Sequence, residues 1–397
     1  MKEEEKKKNT TTTKNPQFWK WAIASVIFRL ILIYFPQNLN LATRPEVSTP
    51  VTSLRRLAEG YWLKQSSMSP YAGSMYHGSP LLLLVLGPLT MKKIEGQPFH
   101  LLCSLVSVIA DFISAMLIRA TGFNLRVAYC ERIKLLDLGK RIEISEILSS
   151  EDIAALVYLW NPFTIVTCLG FNTTPVENLF IILSLYGACI RVAPLAAFGW
   201  VVASHLSLYP TILIIPLKKR PGGKWLDTTK SFSWKPVGLF FVRVSVWTLY
   251  TLVLCGIFMR NYGGLSEMFS RTYGFILTVK DLSPNIGVLW YFFAEVFEFF
   301  RDFFLIVFHV NILFMIMPLA IRLKHRPCFL AFVYMAICSM LKPYPSGTGN
   351  ANFYFATGMA YACFQIVLVV ESVSAMLNHD RKIRKLVAAN ISLTSKQ

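Results

Sequence analysis

Charged residues are scarce in this sequence, and their scarcity argues against a soluble protein. Only 16% of the 397 residues are Asp, Glu, Lys or Arg, whereas 54% are hydrophobic. Soluble domains carry about 25% charged residues on average. The composition therefore predicts an all-α, polytopic membrane protein in which several apolar helices cross the bilayer.

Signatures of catalysis and metal binding are also absent from the sequence. It has no GxSxG or HExxH motif, and its eight cysteines show no CxxC or Cys/His metal spacing. Most of the cysteines lie in apolar segments, where structural thiols are the usual occupants. We predict no catalytic residue, no metal site and no cofactor in this chain.

The excess of positive charge has a membrane explanation. The chain has 40 Lys and Arg against 22 Asp and Glu, a formal net charge of +18. No nucleic-acid-binding motif accompanies it, and in membrane proteins Lys and Arg collect in cytoplasmic loops beside anionic lipid. We predict a disordered cytosolic tail over residues 1–17 and a second cytosolic tail over 378–397. The basic segments that we also place in the cytosol are 124–150, 218–235 and 322–326.

Apolar runs divide residues 18–377 into a transmembrane domain. Clear spans are predicted at 18–35, 99–123, 237–259, 303–321, 328–341 and 351–376. Residues 80–90 are too short to cross and are typical of a re-entrant segment. The polar loop 36–78 and the segment 261–302 then lie in the lumen.

Three further apolar pieces, at 153–171, 176–192 and 195–217, create a problem of parity. Both basic segments that flank them are predicted to be cytosolic, so the number of crossings between those segments must be even. One piece must therefore be partial or broken. The WNPF run Trp160–Phe163 is a plausible break, because Pro162 removes a backbone donor.

Several polar residues lie within or beside these apolar segments. Arg29 is costly in a span unless it faces protein or reaches the surface, and Asp111 falls near the middle of another span. His77 is a lone histidine beside the re-entrant segment, where a hydrogen-bonded structural role is the commoner one. Asn172 opens an Asn-Thr-Thr glycosylation sequon close to the membrane.

The stretch from Tyr273 to Pro318 has the most unusual composition. Ten aromatic residues occur between Trp290 and Phe308. One helix over 286–321 would be roughly 54 Å long at 1.5 Å per residue, whereas the hydrocarbon core is about 30 Å thick. We therefore predict an interfacial helix over 285–302, where aromatic rings are favoured, followed by a span over 303–321.

This stretch also carries a family resemblance. The run YGFILTVKDLSPNIGVLWYFFAEVFEFF from Tyr273 resembles the phosphatidylinositol glycan class U family, the U subunit of glycosylphosphatidylinositol (GPI) transamidase. Further matching runs are SPYAGSMYHGSPLL from Ser69, YLWNPFTIVTC from Tyr158, HLSLYP from His205, LKPYP from Leu341 and NANFYFA from Asn350. The resemblance implies an endoplasmic reticulum membrane protein. Its implied partners are the catalytic K subunit, the T and S subunits, the GPI attachment subunit and the GPI lipid.

One feature departs from the family pattern. Relatives place several dozen mostly apolar residues between the LKxYP and Asn-x-Asn-Phe motifs, but here only Ser346–Gly349 separates them. Loss of a pair of spans would preserve the parity of the crossings. The chain is therefore interpreted as a shortened splice form or an altered gene model.

Lipid-binding residues are predicted on the lumenal side. GPI offers phosphates, amines and sugar hydroxyls beside acyl chains, which amide and acid groups next to an aromatic wall can accommodate. The residues that meet this description, given the resemblance, are Asn350, Asn352, Phe353, Asp281, Asn285, Trp290 and Tyr291. An Asn at a helix start is also a common cap, and a purely structural scaffold remains an alternative.

A polytopic glycosyltransferase that uses a dolichol-linked sugar is the rival function, since the family's architecture resembles the GT-C scaffold. Such enzymes place an essential acid, often an Asp pair, in the first lumenal loop. Residues 36–78 contain only Glu46 and Glu59 as acids, and no DxD or DD. The sequence thus favours a transferase-like scaffold without transferase chemistry.

The substitution Glu46→Gln tests this conclusion. If Glu46 is a solvated or capping glutamate, synthesis of the mannosylated GPI precursor continues at the normal rate in cells that carry the variant. Metabolic labelling of GPI precursors gives the measurement, and loss of a mannosylated precursor would favour the transferase instead.

Overall fold

A computed structural model gives the fold. It describes residues 16–35, 41, 47, 49, 51–73, 76–91, 101–135, 150–218, 234–278, 288–323, 326–341 and 351–394. Within these ranges the protein is helical and has no strand; one isolated antiparallel bridge joins Ser53 to Asn172. The predicted all-α class is therefore confirmed.

Sixteen α-helices occur in the described ranges. They are α1 (Pro16–Tyr34), α2 (Leu54–Gln65), α3 (Pro80–Met91), α4 (Leu101–Leu135), α5 (Ser150–Trp160), α6 (Pro162–Leu169), α7 (Thr174–Cys189), α8 (Ala193–Leu206), α9 (Ile214–Lys218), α10 (Trp234–Met259), α11 (Gly264–Phe269), α12 (Phe275–Thr278), α13 (Val288–Glu295), α14 (Glu298–Arg322), α15 (Pro327–Leu341) and α16 (Ala351–Thr394). A short 3₁₀ helix, Tyr209–Leu213, precedes α9, and a π turn, Ser270–Gly274, precedes α12.

Several of these helices are long and apolar enough to cross a membrane. Five qualify by length and composition, namely α1, α4, α10, α14 and α16, and the bent pair α5–α6 makes a sixth. The chain is a multi-pass membrane protein, as predicted from its composition.

The break in the first of the three apolar pieces lies where the sequence predicts it. α5 ends at Trp160 and α6 begins at Pro162, with a bend of 44° between them. Asn161 caps α6 by accepting a hydrogen bond from the Phe163 N–H at 2.9 Å. The Thr164 hydroxyl lies 2.8 Å from the Tyr158 carbonyl, which the break leaves without a helical partner.

The third apolar piece is also interrupted, by a turn of the chain. The chain turns back after α8 at the extended residue Ser207. The Trp200 indole N–H donates to the Pro210 carbonyl at 3.0 Å, and Leu213 and Leu217 share a buried core with α8. Residues 209–218 thus run back along α8. Pro210 has no N–H and cannot continue α8.

One predicted helix boundary was wrong. The helix of the aromatic stretch breaks at Val296–Phe297, whereas the sequence predicts that the interfacial helix ends near Asp302. Residues 298–302 therefore belong to α14. The last helix runs for 44 residues to Thr394 and so continues beyond the predicted end of the span near Met376. Tertiary contacts hold its basic end in the helix: Arg326 pairs with Asp380 at 2.6 Å, and the His379 Nε2 lies 3.0 Å from the Tyr129 hydroxyl.

The predicted loop 36–78 is partly helical and is tied to the rest of the protein. α2 packs against α3, and the backbone N–H of Leu54 donates to the Phe171 carbonyl at 2.9 Å. Asn172, the residue of the sequon, is 3% exposed and donates to the Val47 carbonyl at 2.9 Å. This side chain has a structural role at the junction of α6 and α7.

A buried polar network joins α1, α4 and the α5–α6 break. Arg29 and Asp111 are each 1% exposed, and the Arg29 Nε lies 3.8 Å from the Asp111 Oδ2. Arg29 also bonds the Ser25 hydroxyl and, at 3.2 Å, the Thr164 hydroxyl. The Tyr158 hydroxyl donates to the other Asp111 oxygen at 3.0 Å. The arginine and the acid that the sequence places in separate spans therefore face each other inside the protein.

This pairing predicts a compensating double substitution. Arg29→Met or Asp111→Leu alone leaves an uncompensated buried charge, which costs about 3–5 kcal/mol. Either variant should lower the thermal midpoint of the detergent-solubilised protein, measured by fluorescence-detected size exclusion after heating. The double variant should recover most of this loss. A double variant whose midpoint falls as far as that of a single variant, or by the sum of both, would contradict the pairing.

Candidate functional site

Three stretches that are far apart in the sequence meet at one imidazole. His205 lies at the end of α8 and is 9% exposed. Its Nε2 lies 2.8 Å from the Ser79 hydroxyl, and its Nδ1 lies 2.9 Å from the Tyr273 hydroxyl. Each of these residues belongs to a run that carries the family resemblance. We call Ser79, His205 and Tyr273 the histidine cluster.

One assignment of the protons satisfies the histidine cluster. The Tyr273 hydroxyl is also 3.1 Å from the His205 carbonyl and can donate its single proton there. In this assignment the His205 Nδ1–H donates to the Tyr273 oxygen, and the unprotonated Nε2 accepts from the Ser79 hydroxyl and lies 3.4 Å from the Cys255 sulfur. A neutral imidazole therefore connects all three elements.

A serine beside a histidine also raises the question of a nucleophile and its base. Ser79 is 3% exposed, and its oxygen accepts the Leu81 N–H at 3.1 Å, where it caps the start of α3. A nucleophilic oxygen must be accessible to the substrate and lie beside a pocket in which the substrate can bind. The geometry supports a positioning role for these residues.

Two buried tyrosines fix the loop that carries Ser79. The Tyr76 hydroxyl donates to the Ser79 carbonyl at 2.7 Å, and the Tyr71 hydroxyl donates to the Gly78 carbonyl at 2.9 Å. Burial raises the pKa of both phenols well above the usual value, so both stay protonated and remain donors. Gly78 leaves no room for a side chain, since an added Cβ would meet the Tyr76 hydroxyl at 2.8 Å.

His77 connects the same loop to the aromatic stretch. Its Nδ1 lies 3.0 Å from the Arg271 carbonyl, and its ring stacks on Phe275 with 3.7 Å between the centroids. The predicted structural role of this histidine is thus confirmed by its contacts. Phe275 in turn shares a buried core with Phe293 of α13 and Leu305 of α14. The histidine cluster and the aromatic helices form one continuous packed unit.

The structure describes only some of the predicted lipid-binding residues. Asp281, Asn285 and Asn350 lie outside the described residues. Trp290 lies on α13, and Asn352 and Phe353 lie in the first turn of α16, but their side chains fall outside the description. Tyr291 of α13 is 37% exposed.

The helices that carry these residues are neighbours. α13 contacts both α15 and α16 in the described structure. Trp290 and Tyr291 on one side, and Asn352 and Phe353 on the other, therefore belong to helices that pack together. Their roles in binding stay predictions.

Sequence reasoning missed the histidine cluster. It treated Ser79, His205 and Tyr273 as parts of separate matching runs and assigned them no function. The available signal was a histidine at the end of an apolar helix, where a neutral imidazole requires polar partners. Nothing in the sequence identifies those partners.

The histidine cluster predicts a large effect from a small change. Tyr273→Phe removes one hydroxyl and leaves the His205 ring with an unpaired buried nitrogen, which costs about 1–3 kcal/mol. The matched control is Tyr250→Phe, because Tyr250 is 55% exposed on α10, and such a substitution changes stability by about 0.5 kcal/mol or less. Thermal midpoints of the two purified variants provide the comparison, and equal midpoints would exclude the proposed bonding.

Comparison with known proteins extends the resemblance. The sequence model of the family described as GPI transamidase subunit PIG-U matches residues 23–346. The human GPI-anchor transamidase component PIGU is 30% identical over 359 residues, which cover 84% of this chain and 75% of that protein. The Cricetulus griseus protein of the same name is 31% identical over 363 residues, with the same coverage.

A fungal relative is similar to the same degree. The GPI transamidase component GAB1 of Saccharomyces cerevisiae is 30% identical over 314 residues, covering 78% of this chain and 69% of that protein. The family match ends at residue 346, before Asn350, Asn352 and Phe353. It does include all three residues of the histidine cluster. The chain belongs to the PIG-U family of GPI transamidase subunits.

Proposed function

We propose that this chain is a non-catalytic subunit of the GPI transamidase of the endoplasmic reticulum membrane. Its role is to bind or present the GPI lipid, so that the lipid can be attached to the C-terminus of a substrate protein. The proposed partners are the K, T and S subunits and the GPI attachment subunit. Membership of the family supports the assignment to the complex, and the packing of α13 against α16 supports the lipid site.

The chemistry of the described residues supports a non-catalytic role. No group of three or more His, Cys, Asp or Glu residues in the described ranges is arranged to hold a metal ion. The histidine cluster places a serine beside a histidine, but Ser79 is buried and caps α3. The nucleophile and base of the transamidation then belong to another subunit.

The lipid site is proposed near the starts of α13 and α16. Asp281 and Asn285 belong to the segment that leads into α13, and Asn350 immediately precedes α16. With Asn352 they provide carboxylate and amide groups for the phosphates, amines and sugar hydroxyls of GPI. Trp290, Tyr291 and Phe353 provide the aromatic wall.

The packing of α13 makes it a suitable platform for such a site. Leu289 is 6% exposed and Phe293 is 2% exposed, and both lie in the core that contains Phe275. The Phe292 ring packs edge-on against Phe304 and Phe308 at 5.0 and 5.1 Å between centroids. One face of α13 is thus fixed, while Tyr291 lies on a more exposed face and can contact a ligand.

Asn352→Leu tests the lipid site. Loss of a buried amide that bonds a ligand costs about 1–3 kcal/mol, or roughly 5- to 150-fold in affinity. We expect GPI precursor to accumulate and surface GPI-anchored proteins to fall, while the variant still co-purifies with its partner subunits. Lipid extraction, surface labelling and affinity purification give the three measurements.

A control on the same helix separates binding from helix stability. Asn378 lies on the exposed surface near the other end of α16, so Asn378→Leu should leave precursor levels unchanged. Degradation of the Asn352 variant, or its failure to co-purify, would make Asn352 a structural cap. If the Asn352 variant assembles with its partners and anchors proteins at the normal rate when GPI is limiting, the binding role is excluded.

A further inference from the structure

Two cysteines from distant parts of the chain are in contact. Cys189 is the last residue of α7 and Cys328 is the second residue of α15. Their sulfur atoms are 3.6 Å apart, and both side chains are free thiols of intermediate exposure. Cys103, Cys168 and Cys255, in contrast, are buried. The two residues of the pair are therefore less enclosed than these three cysteines.

The distance is short enough for a bond to form without a large rearrangement. Sulfur atoms in a disulfide are about 2.05 Å apart, so these two must approach by about 1.5 Å. Rotation of the two side chains covers such a distance. The backbones are already held together, since α9 packs against both α7 and α15.

The side of the membrane on which the two cysteines lie determines whether they are normally reduced or oxidised. Arg191 follows Cys189 by two residues, Arg326 precedes Cys328 by two, and α9 ends at Lys218. Basic residues at the ends of membrane helices favour the cytosolic side. The cytosol keeps thiols reduced, so a disulfide at this position forms only when the surroundings become more oxidising.

We propose that Cys189 and Cys328 form a redox-responsive dithiol whose oxidation links α7 to α15. The oxidant is a low-molecular-weight disulfide such as oxidised glutathione. One protein thiolate attacks a sulfur of the oxidant, which breaks its S–S bond, releases one small thiol and leaves a mixed disulfide. The second protein thiolate attacks the protein sulfur of that mixed disulfide and releases the second small thiol. Two protein thiols are oxidised, the oxidant is reduced by two electrons, and the two thiol protons pass to the released thiolates.

The link would connect two regions that are separate in sequence. Cys189 and Cys328 are 139 residues apart. α7 packs against α8 and α4, whereas α15 packs against α14, α16 and α13. Oxidation would thus fix the helices before residue 218 to the helices that carry the proposed lipid site. The formation of the link itself does not depend on that site.

Thiol counting on the full chain in native membranes tests the proposal. Sealed microsomes with the cytosolic face outward are treated with oxidised glutathione and then denatured in the presence of N-ethylmaleimide, which alkylates every free thiol. The sample is next reduced and labelled with a maleimide mass tag. The wild-type chain should gain two tags after oxidation, because two of its eight cysteines escape alkylation. Mass spectrometry of the unreduced sample should identify a peptide that joins Cys189 to Cys328.

Matched variants identify the pair. Cys189→Ala and Cys328→Ala should each abolish the linked peptide and the gain of two tags. Cys338→Ala, on the same helix as Cys328, should retain both, which also shows that a cysteine can be lost from α15 without unfolding. Absence of the linked peptide in the oxidised wild type, or its persistence in Cys328→Ala, would overturn the proposal. A linked peptide in membranes alkylated before any oxidant is added would also overturn it, by showing a permanent disulfide.

Discussion

The structure depends on a single constraint, that polar groups inside an apolar helix bundle must find partners. Arg29 and Asp111 would each be costly alone in a hydrocarbon environment. They face each other at 3.8 Å and share further bonds with Ser25, Thr164 and Tyr158. Because Thr164 and Tyr158 lie on either side of the α5–α6 break, the network also fixes the position of that break. Satisfying two charges thereby sets the arrangement of four helices.

The same constraint organises the other end of the bundle around His205. A neutral imidazole with one donor and one acceptor joins the loop before α3, the end of α8 and the π turn before α12. The stacked pair of His77 and Phe275 continues this contact into α13 and α14. The aromatic stretch, which looks like a simple interfacial anchor in the sequence, is therefore attached to the protein by buried contacts near its start.

The C-terminal helices are less enclosed than the N-terminal ones. In the 18-residue apolar segment of α16 only 6% is buried, against 44% in the corresponding segment of α4. This difference leaves large faces of α14 and α16 for lipid or for other subunits of the complex.

The sequence by itself determined the all-α class, most of the membrane segments, the break at Pro162 and the family, because apolar runs and proline act within a few residues. Only the tertiary structure decided that Arg29 meets Asp111, that the chain turns back after α8, and that Ser79 bonds an imidazole 126 residues away. These pairings depend on how helices pack, and the sequence shows only that each polar group needs some partner. The helix that continues past Met376 has the same origin, since contacts with Tyr129 and Arg326 hold a segment whose charge alone indicates a separate tail.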